Sequence, residues 1–93
     1  MRRIESTSTF KRDYKRVKAT PKHRDIDSLL PEVLRQLAID LALPERNRDH
    51  SLTGDWKDHR DCHVKPDLVL IYRKPNDEVL QLVRLGSHAE LGL

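Results

Sequence analysis

Cysteine, glycine and aromatic residues are all scarce in this 93-residue chain, which holds one Cys, three Gly, one Trp, one Phe and two Tyr. The lone Cys62 cannot close an internal disulfide, so the fold must rest on a packed core and nothing asks for an oxidising compartment. A cytoplasmic location is the expectation. No stretch approaches the roughly 20 apolar residues of a membrane span, and Met1-Arg2-Arg3 leads into polar residues rather than a signal-peptide core. No membrane partner is expected. Gly54 and Gly86 stand alone, outside any phosphate-loop or dinucleotide pattern, so they read as turn or bulge positions and no nucleotide cofactor is expected. His59, Cys62 and His63 are close in sequence. In an extended strand, however, Cys62 points away from both histidines, and no CxxC or HExxH pairing completes four metal ligands, so no metal is expected either. Cys62 lacks a nucleophile elbow, and Ser87 beside His88 does not make a triad. Internal repeats and low-complexity segments are absent.

What is present is charge, at 35% of residues against 37% hydrophobic. The apolar residues arrive in periodic clusters, as a folded chain requires, and the length suits a single domain over residues 1–93 with one modest core. The net charge of +3 is unevenly spread: residues 1–24 hold nine Lys or Arg against two acids, and the remainder nine against thirteen, giving +7 and −4. One end is suited to meeting a polyanion.

The patterning predicts an α+β fold. Arg2 to Ser6 reads as a short edge strand, followed by helix caps in Thr7-Ser8-Thr9. Phe10, Tyr14 and Val17 then line one face of a helix whose other faces are basic, and Ala19-Thr20-Pro21 ends it. Leu30, Val33, Leu34, Leu37 and Leu41 predict a second helix. Ser28 is a plausible cap, which would put Pro31 in the tolerant first turn, whereas a start near Asp25 would make Pro31 an interior kink. From Trp56 the period changes to that of strands: Trp56 to Val64, Leu68 to Arg73 and Val79 to Leu85. Leu68 to Tyr72 is apolar on both faces, which marks a central strand, and Pro75-Asn76-Asp77 is its hairpin turn. The expectation is an N-terminal strand, a two-helix hairpin and then antiparallel strands, with the helices packed on one face to bury Phe10, Tyr14, Leu34 and Leu37.

Polar residues in strand positions point to chemistry. An antiparallel meander brings the end of its first strand, the start of its second and the end of its third to one edge, so His63, Asp67, Arg84 and His88 are expected to converge, with His50 arriving from a loop. Histidines, a carboxylate and an arginine are what metal-independent RNA cleavage requires. One group takes the ribose 2′-hydroxyl proton, another protonates the departing 5′-oxygen, and a cation stabilises the phosphate. Taken singly, each histidine reads equally well as structural. Arg84 could pair with Asp67 across the sheet, and the basic helix face could be no more than a solvated surface.

Three segments carry a family resemblance: Asp49-His50-Ser51-Leu52-Thr53-Gly54-Asp55-Trp56-Lys57, Arg60 through Leu68 with Leu70-Ile71-Tyr72, and Arg84-Leu85-Gly86-Ser87-His88-Ala89-Glu90-Leu91. Together they resemble the DHxLxGxWxxxRDxHxxPDxxLIY and RxGxHxxL patterns of the YafQ branch of the RelE superfamily of bacterial toxins. The resemblance implies a type II toxin, an endoribonuclease that cuts ribosome-bound messenger RNA, inhibits translation and is held inactive by a cognate antitoxin, with operator DNA met only through the antitoxin complex. It places the family's catalytic positions on His50, His63, Asp67, Arg84 and His88. His88 would be the general acid, Arg84 the phosphate ligand, and the base one of His50, His63 and Asp67. Lys11, Arg12, Lys15, Arg16, Lys18, Lys22 and Arg24 become the surface for ribosomal RNA.

Two departures from that family bear on RNA binding. Close relatives carry Trp where this chain has Leu68, and a Phe near the end where it has Gly92-Leu93. Both changes remove aromatic surface, leaving electrostatic docking as the expected main source of RNA affinity. Two alternatives share the scaffold: a ParE-like toxin that inhibits DNA gyrase without these catalytic residues, and a catalytically weak relative that binds RNA or regulates its operon.

Overall fold

Thr7 joins three elements at the start of the chain. In the computed structural model, which describes residues 1–93, β1 spans Arg3–Ser6, α1 Ser8–Ala19 and β5 Val79–Gly86. The Thr7 hydroxyl oxygen accepts from Phe10 N at 3.0 Å, capping α1, and donates to the Val83 carbonyl at 2.9 Å. The Thr7 amide donates to Leu82 O at 3.0 Å. The cap thus fixes the helix to the sheet as well as satisfying one of its free amides. Phe10, Asp13 and Val17 form the buried face of α1, and the basic residues take the others, as their spacing predicts.

A 3-10 turn at Pro21–His23 leads to α2, Ile26–Ala38. The helix begins at the earlier of the two possible starts, because the amides of Ser28 and Leu29 both donate to Asp25 O. Pro31 is therefore interior and forfeits one helix bond, on the exposed side where water can serve the freed carbonyl. The expected Leu41 turn of this helix does not form. Asp40 takes a left-handed φ of 59°, and the Asp40 and Leu41 amides close back on Leu37 O and Gln36 O, a Schellman end. Leu41 is left 51% exposed.

The sheet has five strands in the order β1-β5-β4-β3-β2, with β2 at His50–Ser51, β3 at Arg60–Lys65 and β4 at Leu68–Arg73. β1 runs parallel to β5, and the remaining pairs are antiparallel. The strand expected from Trp56 starts only at Arg60. Gly54–Trp56 is a 3-10 turn, and Asp58, at φ 69°, reverses the chain before β3 can begin. The two-residue β2 and a last helical turn, α3 at His88–Leu91, are additions to the expected set. Ser87 and Glu90 close a capping box around α3, which lets so short a turn persist.

The helices cover one face of the sheet over the main core, where Phe10, Val17, Ile26, Leu30, Leu37, Leu70, Tyr72 and Leu82 meet. Tyr14 and Leu34, expected to be buried, are only partly so. A smaller cluster of Val69, Ile71 and Leu91 lies apart from that core, with Leu52, Trp56 and Val83 against it. β4 alternates between the two clusters, so its apolar run serves both faces of the sheet, as a central strand's should.

Candidate active site

Strand alternation sorts the residues of β3. Cys62 and Val64 enter the main core, which leaves Asp61 and His63 on the opposite face. Val69 of β4 pairs with His63 on one side and with Gly86 on the other, so the residue two beyond Gly86 arrives near His63. That residue is His88, the first of α3. The His63 and His88 rings sit 4.9 Å apart, edge to face at 64°. Burial, and then repulsion from His88, push the His63 pKa below the ordinary histidine value.

His50 is brought in by β2, whose pairing sets it opposite Asp61. Its Nδ1 lies 2.9 Å from Arg48 O and 3.1 Å from Asp61 Oδ1. Both neighbours are acceptors, so Nδ1 carries the proton and the lone pair of the neutral ring is at Nε2. The proton is directed at Arg48 O, and Asp61 Oδ1 has no hydrogen-bond donor. Asp61 is 2% exposed. Burial raises its pKa, while His50, His63 and His88 pull it down. His50, Asp61 and His88 line one cavity of about 560 Å³, whose lining also includes Leu52, Thr53, Trp56 and Leu93.

The structure thus brings the three predicted histidines together, while Asp67 lies in a turn and Arg84, level with Asp61 across Ile71 in the sheet register, is tied to a residue of α1. Asp67, in the turn between β3 and β4, is half exposed and pairs with Lys22 at 2.9 Å, a contact that lowers its pKa. Arg84 bonds neither Asp67 nor the histidines. Its Nε donates to Asp13 Oδ2 at 2.7 Å and its Nη2 to Asp13 Oδ1 at 3.3 Å. β1 pairs with β5 only as far as Leu82, and α1 serves the strand beyond that point. Leu85 N donates to Asp13 Oδ2, and Arg16 Nη2 donates to Leu85 O, each at 3.0 Å. Burial alone would raise the Asp13 pKa, but the bonds from Arg84, Leu85 and Arg16 hold it below the usual carboxylate range.

The carboxylate among the histidines is therefore Asp61, which sequence reasoning passed over. The available signal was its position two residues before His63, on the same face of a strand. Of the predicted RNA-binding residues, Lys11, Lys15 and Lys18 border a groove of about 830 Å³ between α1 and α2, with Phe10, Tyr14, Leu30 and Leu34 inside it. Lys18 pairs with Asp27 there at 2.8 Å. Arg16 is committed to Asp13 and Glu90, and Lys22 to Asp67, while Arg12 and Arg24 are exposed.

A helix-covered, five-stranded mixed sheet of this kind matches the fold of small bacterial toxins. The chain belongs to the YafQ family, bacterial toxins of type II toxin–antitoxin systems, whose family model matches residues 2–92. It is 41% identical over 92 residues to the mRNA interferase toxin YafQ of Escherichia coli K12, covering 97% of this chain and 95% of that one. The crystal structure of YafQ from E. coli BL21(DE3) is 36% identical with a TM-score of 0.83, over 98% of each chain. The toxin in the E. coli DinJ–YafQ toxin–antitoxin complex is 37% identical with a TM-score of 0.81, over 97% of this chain and 96% of that one.

Proposed function

We propose that this toxin is a messenger RNA endoribonuclease that acts on the ribosome and works without a metal, through acid–base catalysis by His50, His63 and His88. The observation that carries the reading is the 4.9 Å contact between the His63 and His88 rings. Two imidazoles this close resist being charged together, and it is the His63 cation that burial and the neighbouring ring disfavour, which sets His63 as base beside a second ring able to donate.

His63, with its depressed pKa, serves as the base that takes the 2′-hydroxyl proton, and His50 Nε2 offers a second lone pair in the cavity that His50 shares with His88. The 2′-oxygen attacks phosphorus, the bond to the 5′-oxygen breaks, and His88 supplies the proton to that oxygen. The products are a 2′,3′-cyclic phosphate and a 5′-hydroxyl end. Arg84 has Nε and Nη2 occupied by Asp13, which orients the fork and leaves Nη1 to meet a phosphate. Asp67, tied to Lys22, acts in this scheme through the placement of that cation.

A cognate antitoxin and ribosomal RNA are the partners proposed for the helical layer. Its groove joins an apolar interior to a rim of Lys11, Lys15 and Lys18, a surface that an acidic amphipathic segment fits and that a polyanion also recognises. Mapping new 5′-ends on cellular messenger RNA within minutes of induction, for wild type and His88→Gln, tests the activity. In-frame cuts present only with wild type are the expected result. Growth arrest without cuts, equal in both strains, would turn the assignment toward gyrase inhibition.

A further inference from the structure

The cavity that holds His50, Asp61 and His88 extends beyond what proton transfer needs. Trp56 lines it too, together with Thr53, Asp55 and Leu91 of α3. This is the only tryptophan in the protein. Its indole is positioned from several directions. It packs on the cluster of Val69, Ile71 and Leu91, the His59 ring meets it edge to face at 5.4 Å and 73°, and its backbone is pinned by Trp56 N to Thr53 O at 3.3 Å and His59 N to Trp56 O at 3.0 Å. The side chain nevertheless stays partly exposed, and it shares the cavity with two of the histidines.

We propose that Trp56 is the stacking platform of a nucleobase subsite for the nucleotide adjoining the scissile phosphate. This deepens, and rests on, the nuclease reading above. A volume of about 560 Å³ falls in the range of pockets that hold small organic groups, and it exceeds what a phosphate between two imidazoles would fill. A rigid indole gives a base a π-face at little entropic cost, and the hydroxyl of Thr53 and carboxylate of Asp55 can accept hydrogen bonds from a base edge. Leu68 is 1% exposed in the main core on the other face of the sheet, and Gly92 and Leu93 border this cavity without an aromatic ring, so Trp56 is the only Phe, Tyr or Trp that lines it. Trp56 is a binding residue in this scheme. Proton transfer stays with the histidines.

The test compares wild type, Trp56→Phe and Trp56→Leu on messenger RNA in programmed ribosomes, reading kcat, KM and the spectrum of bases flanking the cut. Leucine keeps an apolar cover over Val69 and Ile71 but cannot stack, so its loss should fall on KM, by about tenfold, with the flanking-base preference flattened. Phenylalanine should recover most of both. A folded Trp56→Leu protein with wild-type KM and preference would overturn the subsite. No cutting by any of the three would overturn the nuclease reading itself, and the subsite with it. Should Trp56→Leu fail to fold, wild type is titrated with a 2′-O-methyl trinucleotide while the emission of its single tryptophan is followed. Saturable quenching supports the subsite, and emission unchanged up to millimolar trinucleotide overturns it.

Discussion

His63 and His88 differ in what surrounds them more than in what they are. His63 stands on a strand, partly buried, with a second imidazole against it. His88 opens a one-turn helix and is exposed. Both influences on His63 disfavour its cation, so its neutral form persists to lower pH than that of a free histidine. The acid limb of kcat/KM is therefore expected to fall below pH about 6.5, because activity fails only once the base is protonated. A pH profile measured on ribosome-bound message checks this, and a limb at or above that value would remove His63 as the base. The sign for stability runs the same way: the unfolded chain binds the proton more readily, so acidification through this range works against the fold.

Asp13 shows what one residue does for an element. It is 2% exposed, and its carboxylate accepts from Arg84, Arg16 and Leu85 N, completing the part of β5 that β1 leaves unpaired. Asp13→Ala would leave the Arg84 guanidinium and the Leu85 amide without their acceptor, while Arg16 keeps Glu90 and Leu85 O, and a loss of about 3 kcal/mol is expected in urea denaturation at neutral pH. Since the folded-state pKa of Asp13 is lowered, its contribution is complete above the ordinary carboxylate range and fades as pH falls through about 4 and below. The variant should lack that part of the acid-side decline. Elements were legible in the sequence in proportion to how much local signal each carried. β4 was readable to the residue because it is apolar on both faces, and α1 because a cap, a periodic face and a proline coincide. α3 has only Leu91 as an apolar anchor, and β2 is two residues held by β3, so neither has a period to read. The three histidines were legible as a group. The partner of Arg84 lies 71 positions away on α1, a pairing that no local pattern encodes.

Across the whole molecule the sheet separates the two surfaces proposed for cutting and for docking. The histidines and Trp56 lie on one side, and the lysine-rimmed groove lies between the helices on the other. Binding and cutting should therefore separate under mutation. Replacing Lys11, Lys15 and Lys18 with Glu is expected to weaken ribosome binding and to make the slope of log affinity against log salt shallower by about two. The pH profile of the residual cleavage should be unchanged. A triple variant that binds ribosomes as wild type does, with the same salt dependence, would reduce that rim to ordinary solvated charge.

The last helical turn carries His88 at one end and Leu91 at the other, and Leu91, 5% exposed, shields Val69 and Ile71 together with Leu52, Trp56 and Val83. Under the catalytic role proposed for His88, fraying or protease trimming of those four residues would disarm the toxin and uncover apolar sheet surface in the same event. Loss of toxicity by that route would be paired with aggregation and clearance, leaving little inert but soluble toxin to occupy an antitoxin.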